Sequence, residues 1–427
     1  MSATGLALPP EHPDRRRLAA ELHARTPETL EPPLRVTHLA VLVDPGERGR
    51  ERGHLAALLA PPGEEETQVT GELGDGVRLR FEAHGEFTTY TVYAPGAGAA
   101  PFADPAAASL PAGWLAGVPG RTIAAAHAEL LPWGPEPPPR ELLTACFGPG
   151  VVVGSEIGDG AGLAFTDFRL HDDGCGRFLV LDRELTPRQA GRMVQRLLEI
   201  ETYRMMALLA LPVARAQWPR TAAIERRLTE LIDAIHRRGD EQSLFDELTA
   251  LAAEVEGELA ASQFRFGACR AYSDLVTTRI AELRERRLAG RQTVAEFTAR
   301  RLTPAVETCM TVSRRLHELS ERVDRAGSLL TAKVDIAVEL QNKALLESME
   351  RRARLQHRLQ QAVEALSLAA IVYYVAGLVH YAALAVRSGG VHVDPDVVVG
   401  ASILPIAALV VLTVRRVRRA IVESEGA

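Results

Sequence analysis

Cysteine is scarce and scattered. Cys146, Cys175, Cys269 and Cys309 are the four in 427 residues, and no two form a CxxC pair, which argues against a zinc knuckle and a disulfide framework and fits a reducing cytosol. Long basic tracts are missing too, and the formal net charge is -6. Phosphate binding needs clustered Lys and Arg, so nucleic acid is not expected as a partner. The N-terminal segment carries Pro9, Pro10, Glu11, His12 and a charged run from Asp14 to Arg17. It has no apolar stretch of the secretory kind, so export of this portion is not expected. Also lacking are GxxxxGK[ST], a GxGxxG after a strand, and HExxH. The close pairings of histidine with acid are His84 with Glu86, and His171 with Asp172 and Asp173. Neither has a triad setting, and an enzyme is not expected.

What is present divides naturally into soluble regions and an anchor. With 47% hydrophobic and 24% charged residues the chain fits neither disorder nor a polytopic transporter. Residues 366–386 and 397–414 are two runs without a formal charge, each near the length that crosses a hydrocarbon core of roughly 30 Å at about 1.5 Å per residue. Arg351, Arg352, Arg354 and Arg358 precede the first run, and Arg415, Arg416, Arg418 and Arg419 follow the second. The connecting segment 387–396 holds one Arg against two Asp. By the positive-inside rule both chain ends are cytoplasmic and the short loop is outside. A buried helical hairpin in a soluble domain is the alternative.

Before the anchor the pattern changes near residue 187. Up to there it is mixed: an opening helix over 13–24, strands over 36–44, 77–93, 122–131, 151–157, 163–170 and 177–182, and helices over 50–59 and 140–146. Val77, Leu79, Phe81 and then Phe87, Thr89, Thr91 and Tyr93 recur at period two, the mark of half-buried strands. Segments 94–105 and 132–139, rich in Pro, Gly and Ala, read as loops. An α/β domain with a mixed sheet over 1–186 is the economical reading.

Residues 187–361 read as a helical region with a stalk. One helix starts at Pro187 and is interrupted by Pro212, a second spans 219–238, a third 242–288 with a break at Gly290, and the last begins near Val294. On that last helix Leu316, Leu319, Val323, Ala326 and Leu330 follow heptad spacing, and Val334, Val338, Leu345, Leu355 and Leu359 continue it after a stutter. The stripe packs either on the chain's own helices or on copies of itself. Asp335, Glu339 and Asn342 share a face that is either solvated or an inter-subunit cation or salt-bridge site.

The anchor completes an α+β membrane protein: a first span over 362–386, an outer loop over 387–396, a second span over 397–414 and a basic tail over 415–427. In the first span Tyr373, Tyr374, Gly377, His380 and Tyr381 place polar groups in an apolar helix, so that face should look into protein or water. It is a pore lining or a helix-packing face. Pro405 should kink the second span. In the loop, His392, Asp394 and Asp396 at alternate positions could weakly coordinate a divalent cation, the one cofactor suggested, or simply be solvated.

Several stretches together resemble the domain-of-unknown-function family 3422 of bacterial membrane-anchored proteins. They are His12 and Pro13 with Glu21 to Arg25; His84, Gly85, Glu86, Phe87, Thr88, Thr89 and Tyr90; Thr166, Asp167, Phe168 and Arg169; Leu197 to Arg204 with Glu199, Thr202 and Tyr203; and Lys333 to Lys343 leading to Tyr373 and Tyr374. The order of parts also resembles the CorA family of divalent-cation channels, although the Gly-Met-Asn signature of that family is absent and Ala385, Val386, Arg387, Ser388 and Gly389 stand at the corresponding end. These resemblances imply a multi-pass protein of the bacterial inner membrane, homo-oligomeric through stalk and first span. It would be a CorA-like ion channel or transporter with a cytoplasmic regulatory domain, or else a tethered scaffold or sensor whose α/β domain binds a cytoplasmic partner.

Overall fold

The computed structural model describes residues 9–16, 27–61, 67–237, 240–390 and 394–425, with side chains to residue 416. Most of the opening helix expected over 13–24 lies outside them. The chain divides into two compact units, Met1–Gly327 and Ser328–Ala427.

The first unit is built on one mixed sheet. Its strands are β1 (Leu34–Leu42), β2 (Gln68–Gly74), β3 (Val77–Ala83), β4 (Phe87–Pro95), β5 (Arg121–Pro132), β6 (Val153–Ile157), β7 (Gly162–Thr166), β8 (Gly176–Asp182) and β9 (Arg286–Arg287). They lie in the order β2-β3-β4-β1-β5-β8-β7-β6-β9. Neighbours are antiparallel except β5 and β8, which run parallel with His127 opposite Arg177. Two strands escape a pattern search for physical reasons. Strand β2, QVTGELG, is a half-exposed edge with two glycines, and β9 has only two arginines to pair with Ser155 and Glu156.

Strand β4 is buried along nearly its whole length, and its alternation sorts two environments. Tyr90, Val92 and Ala94 join a core with Leu55 and Trp114, where Leu55 ends helix α1 (Arg48–Leu55). Phe87 and Tyr93 join the larger core under the helices. Helix α2 (Arg140–Phe147) packs Leu143, Cys146 and Phe147 with Leu179 and Leu181 of β8.

The helical layer begins with α3 (Pro187–Leu208), started by a reciprocal capping box between Thr186 and Gln189 and by Pro187 in its first turn. It buries Ala190, Met193, Val194, Leu197 and Leu198 in the sheet core, so residue 187 lies inside one packed unit. The break after α3 falls at Leu209, ahead of Pro212, which sits in the first turn of α4 (Ala210–His236), where a missing N–H is tolerated. Pro219, expected to open a helix, lies inside α4. Helix α5 (Glu241–Glu282) stops short of 288 because Arg284 takes φ +48° and the chain turns into β9. Gly290, at φ +77°, is a break as expected, and α6 (Val294–Arg301) follows on a second capping box.

Helix α7 (Thr303–Ser388) carries the heptad stripe. Leu316, Leu319, Val323 and Ala326 are buried within the first unit. There Arg315 donates to Glu225 of α4 at 3.1 and 2.6 Å, and Ser320 donates to Glu256 of α5 at 2.9 Å. This half of the stripe packs on the chain's own helices.

In the second unit, Val338, Leu345, Leu355 and Leu359 of the continued stripe are exposed. Helix α8 (Pro395–Glu425) contains Pro405. The second half of α7 and α8 are each long and apolar enough to cross a membrane. Their apolar side chains, Leu366, Leu378, Leu404 and Leu409 among them, point outward, unlike those of a soluble core helix.

Candidate functional site

The sheet face carrying Phe87, Thr89, Thr91 and Tyr93 does not close completely against α3 and α5. A cavity of about 120 Å³ remains, lined also by His38, Arg80, Glu82, His84, Gln195, Arg196, Glu199, Thr202, Tyr203 and Arg279. That is room for about four waters, at roughly 30 Å³ each, or for one small molecule.

Each wall has its own chemistry. On the sheet, Arg80 is buried, donates to Glu82 at 2.8 Å and lies 3.7 Å from Glu28, which also accepts from Arg78 at 2.7 Å. On the helices, charges alternate: Arg196 donates to Glu199 at 2.9 Å and also pairs with Glu282, while Arg279 pairs with Glu199 and donates to Glu282 at 3.1 Å. Gln195 Nε2 donates to the remaining oxygen of Glu199 at 2.8 Å. These part-buried pairs hold one another in place, so the cavity presents fixed positive and negative poles.

Between the poles sit neutral groups. His38 on β1 is fully buried, with Nδ1 2.8 Å from the Thr91 hydroxyl and Nε2 3.1 Å from the Thr202 hydroxyl. Burial pushes its pKa down to about 4, with Glu82 opposing and His84 adding to the shift, so the imidazole is neutral at physiological pH. Burial likewise raises the Tyr93 phenol. Thr89 Oγ1 is buried without a hydrogen-bond partner among the described residues. A buried unpaired hydroxyl costs about 1–3 kcal/mol, which a ligand or water in the cavity would relieve. Tyr203 stacks on Tyr272 at 5.8 Å.

The histidine and acid pairs expected from sequence are redistributed. His84 stacks on Phe87 at 4.4 Å, whereas Glu86 accepts from Arg265 at 2.6 Å and from Tyr272 at 3.3 Å. His171 lies 3.3 Å from Asp167. Asp173 turns to His127 instead, at 3.7 Å, and Cys175 joins them. Asp167 also accepts from the Arg169 N–H, and Phe168, at φ +52°, stacks on Phe297 at 4.6 Å beneath Arg204.

In the second unit the expected polar face of α7 is largely uncovered. Tyr373, Tyr374 and Tyr381 are more than two-thirds exposed, and a Cβ added at Gly377 would meet nothing within 4 Å. His380 Nδ1 lies 3.9 Å from Asp396 Oδ1. Asp394 caps α8, accepting from the Asp396 N–H at 3.1 Å, and His392 lies outside the described residues. Asp335, Glu339 and Asn342 are exposed.

Two of the stretches that carry the family resemblance therefore meet at the cavity: His84, Phe87 and Thr89 from one side, Glu199, Thr202 and Tyr203 from the other. Compared with known families, residues 10–421 match the one described as Protein of unknown function (DUF3422). The chain belongs to that family. No curated protein and no solved structure matches this DUF3422 chain, and nothing in the comparisons connects it to the CorA family.

Proposed function

We propose that this DUF3422 protein is a membrane-tethered sensor whose first unit binds a small dipolar molecule of the amino-acid class in the His38 cavity. The observation that carries the reading is the cavity's chemistry. Arg80 with Glu82 on one wall and Arg196, Glu199 and Arg279 on the other offer poles for a ligand bearing both charges. The hydroxyls of Thr89, Thr91 and Thr202, the last two set in place by His38, offer hydrogen bonds between them, a combination suited to orienting a polar ligand. Both His38 nitrogens are engaged by threonine hydroxyls, and Glu82 and Glu199 by arginines, an arrangement that favours binding over catalysis.

In this reading α7 and α8 cross the bacterial inner membrane with both chain ends in the cytoplasm, as the arginine clusters on the two flanks favour. Ligand binding by the full chain in detergent tests the proposal, with Thr89→Leu, which fills the cavity, as the control. Binding lost in that variant supports it; binding unchanged there contradicts it.

A second reading draws on the exposure of Tyr373, Tyr374 and Tyr381. Copies of the chain would pack around the first span, whose polar face would line a path for ions. A protein that stays monomeric in mild detergent, or liposomes with no ion flux dependent on His380, would contradict it.

A further inference from the structure

His127 lies far from Asp173 and Cys175 in sequence, yet the ligand atoms of the three all lie within 4.8 Å of one another. The fold brings them together simply. His127 is on β5, and the parallel pairing of Ala126 with Gly176 sets the turn before β8 beside it. That turn is tight: Gly174 takes φ +76°, and the His171 N–H bonds to the Cys175 carbonyl at 3.0 Å.

The histidine and the carboxylate are already aimed, and the Cys175 thiol beside them donates to the Asp173 carbonyl at 3.8 Å. His127 is buried, and its Nδ1 lies 3.0 Å from the Thr37 hydroxyl, which also accepts from the Ala107 N–H. This is the support that a metal-binding imidazole ordinarily receives on its far nitrogen. Its Nε2 faces Asp173 Oδ2 at 3.7 Å, beyond hydrogen-bonding length. Asp173 Oδ1 is held by the Cys175 N–H at 2.9 Å, so the other oxygen is the one presented to the histidine. Two ligands each about 2 Å from a tetrahedral zinc lie about 3.4 Å apart, a few tenths of an ångström less than the observed separation. Arg177 Nη2 is 3.8 Å from the same Asp173 oxygen, but its Nη1 donates to the Cys146 carbonyl and its head lies over the Phe102 ring. It flanks the carboxylate without taking its place.

We propose that His127 Nε2, Asp173 Oδ2 and Cys175 Sγ form a site for a thiophilic divalent ion, zinc above all. One nitrogen, one sulfur and one oxygen ligand select zinc over calcium or magnesium, which take oxygen alone. Binding displaces the Cys175 thiol proton to solvent, and the partly exposed Asp173 side leaves a fourth position to water. The site is separate from the His38 cavity, sharing none of its lining residues, so either proposal can fail alone.

The test is cobalt titration of the full chain in detergent after removal of metals by chelation. The expected result is one equivalent bound tightly, with a thiolate-to-cobalt charge-transfer band in the near ultraviolet. Cys175→Ser should abolish the band and weaken binding more than about 100-fold, beyond the effect of losing a supporting contact. Cys146, Cys269 and Cys309 are buried, so the band reports Cys175. Asp173→Asn, in an exposed turn, should weaken binding while leaving the melting temperature of the chelated protein unchanged. A titration without the band, or equal cobalt affinity in wild type and both variants, would overturn the proposal.

Discussion

His38 on strand β1 and Thr202 on helix α3 are joined, ring nitrogen to hydroxyl, at 3.1 Å. With Thr91 on the other ring nitrogen, this contact ties the sheet to the helical layer at the floor of the cavity and satisfies both nitrogens of the histidine.

That arrangement fixes a pH dependence. The unfolded chain binds a proton at His38 near pH 6.5, and the folded chain only near pH 4. Between these values the unfolded state holds the extra proton, so stability falls as pH drops from 6.5 toward 4 and levels off below. By linkage the loss at pH 5 is about 2 kcal/mol. Urea unfolding at pH 7.5 and pH 5 measures it. His38→Gln should shrink the difference without abolishing it, because burial also lowers the pKa of His127.

Gly191 lets α3 approach the chain before β1. A Cβ there would stand 1.7 Å from the Glu28 carbonyl oxygen, a backbone atom that no rotamer change can move. Gly191→Ala should destabilise the fold by about 3 kcal/mol, the upper range for overpacking. It should also loosen Glu28 from Arg78 and Arg80. Thermal unfolding of the variant checks this, and a melting temperature equal to wild type would refute the close approach.

Arg80 and Arg354 should differ as sites of substitution. Arg80 is buried between Glu82 and Glu28, so Arg80→Ala takes the cation from Glu82, while Glu28 keeps Arg78, and should cost about 3 kcal/mol. Arg354 pairs with Glu350 in the open, at 70% and 63% exposure, and Arg354→Ala should change stability by less than about 0.5 kcal/mol. Denaturant midpoints of the two variants provide the comparison.

The proposed topology predicts opposite labelling of two introduced cysteines. Ser388→Cys, at the end of α7, should react with an impermeant maleimide in intact cells, and Ser424→Cys only after permeabilisation. The reverse pattern would invert the hairpin.

Much of the fold was legible because it rests on local rules. Phe87, Thr89, Thr91 and Tyr93 announce a strand by alternation, Thr186 and Pro187 announce a helix start, and Leu316 to Ala326 announce a packed stripe. The cavity was half legible, since its strand and the 197–204 stretch were both visible, but nothing local told that they face each other. His38 meets partners 53 and 164 residues away, and a single histidine in an apolar strand carries no signature. Asp173 was read with His171, its neighbour in the turn, whereas the parallel register of β5 and β8 hands it to His127.

Saturation-transfer NMR on the full chain in detergent, screening zwitterionic amino acids against wild type and Thr89→Leu, tests ligand binding in the His38 cavity. At least one compound should bind wild type and be rejected by the filled cavity, with Thr202→Val binding it more weakly. No amino acid bound by wild type, or equal binding by Thr89→Leu, would contradict the proposal.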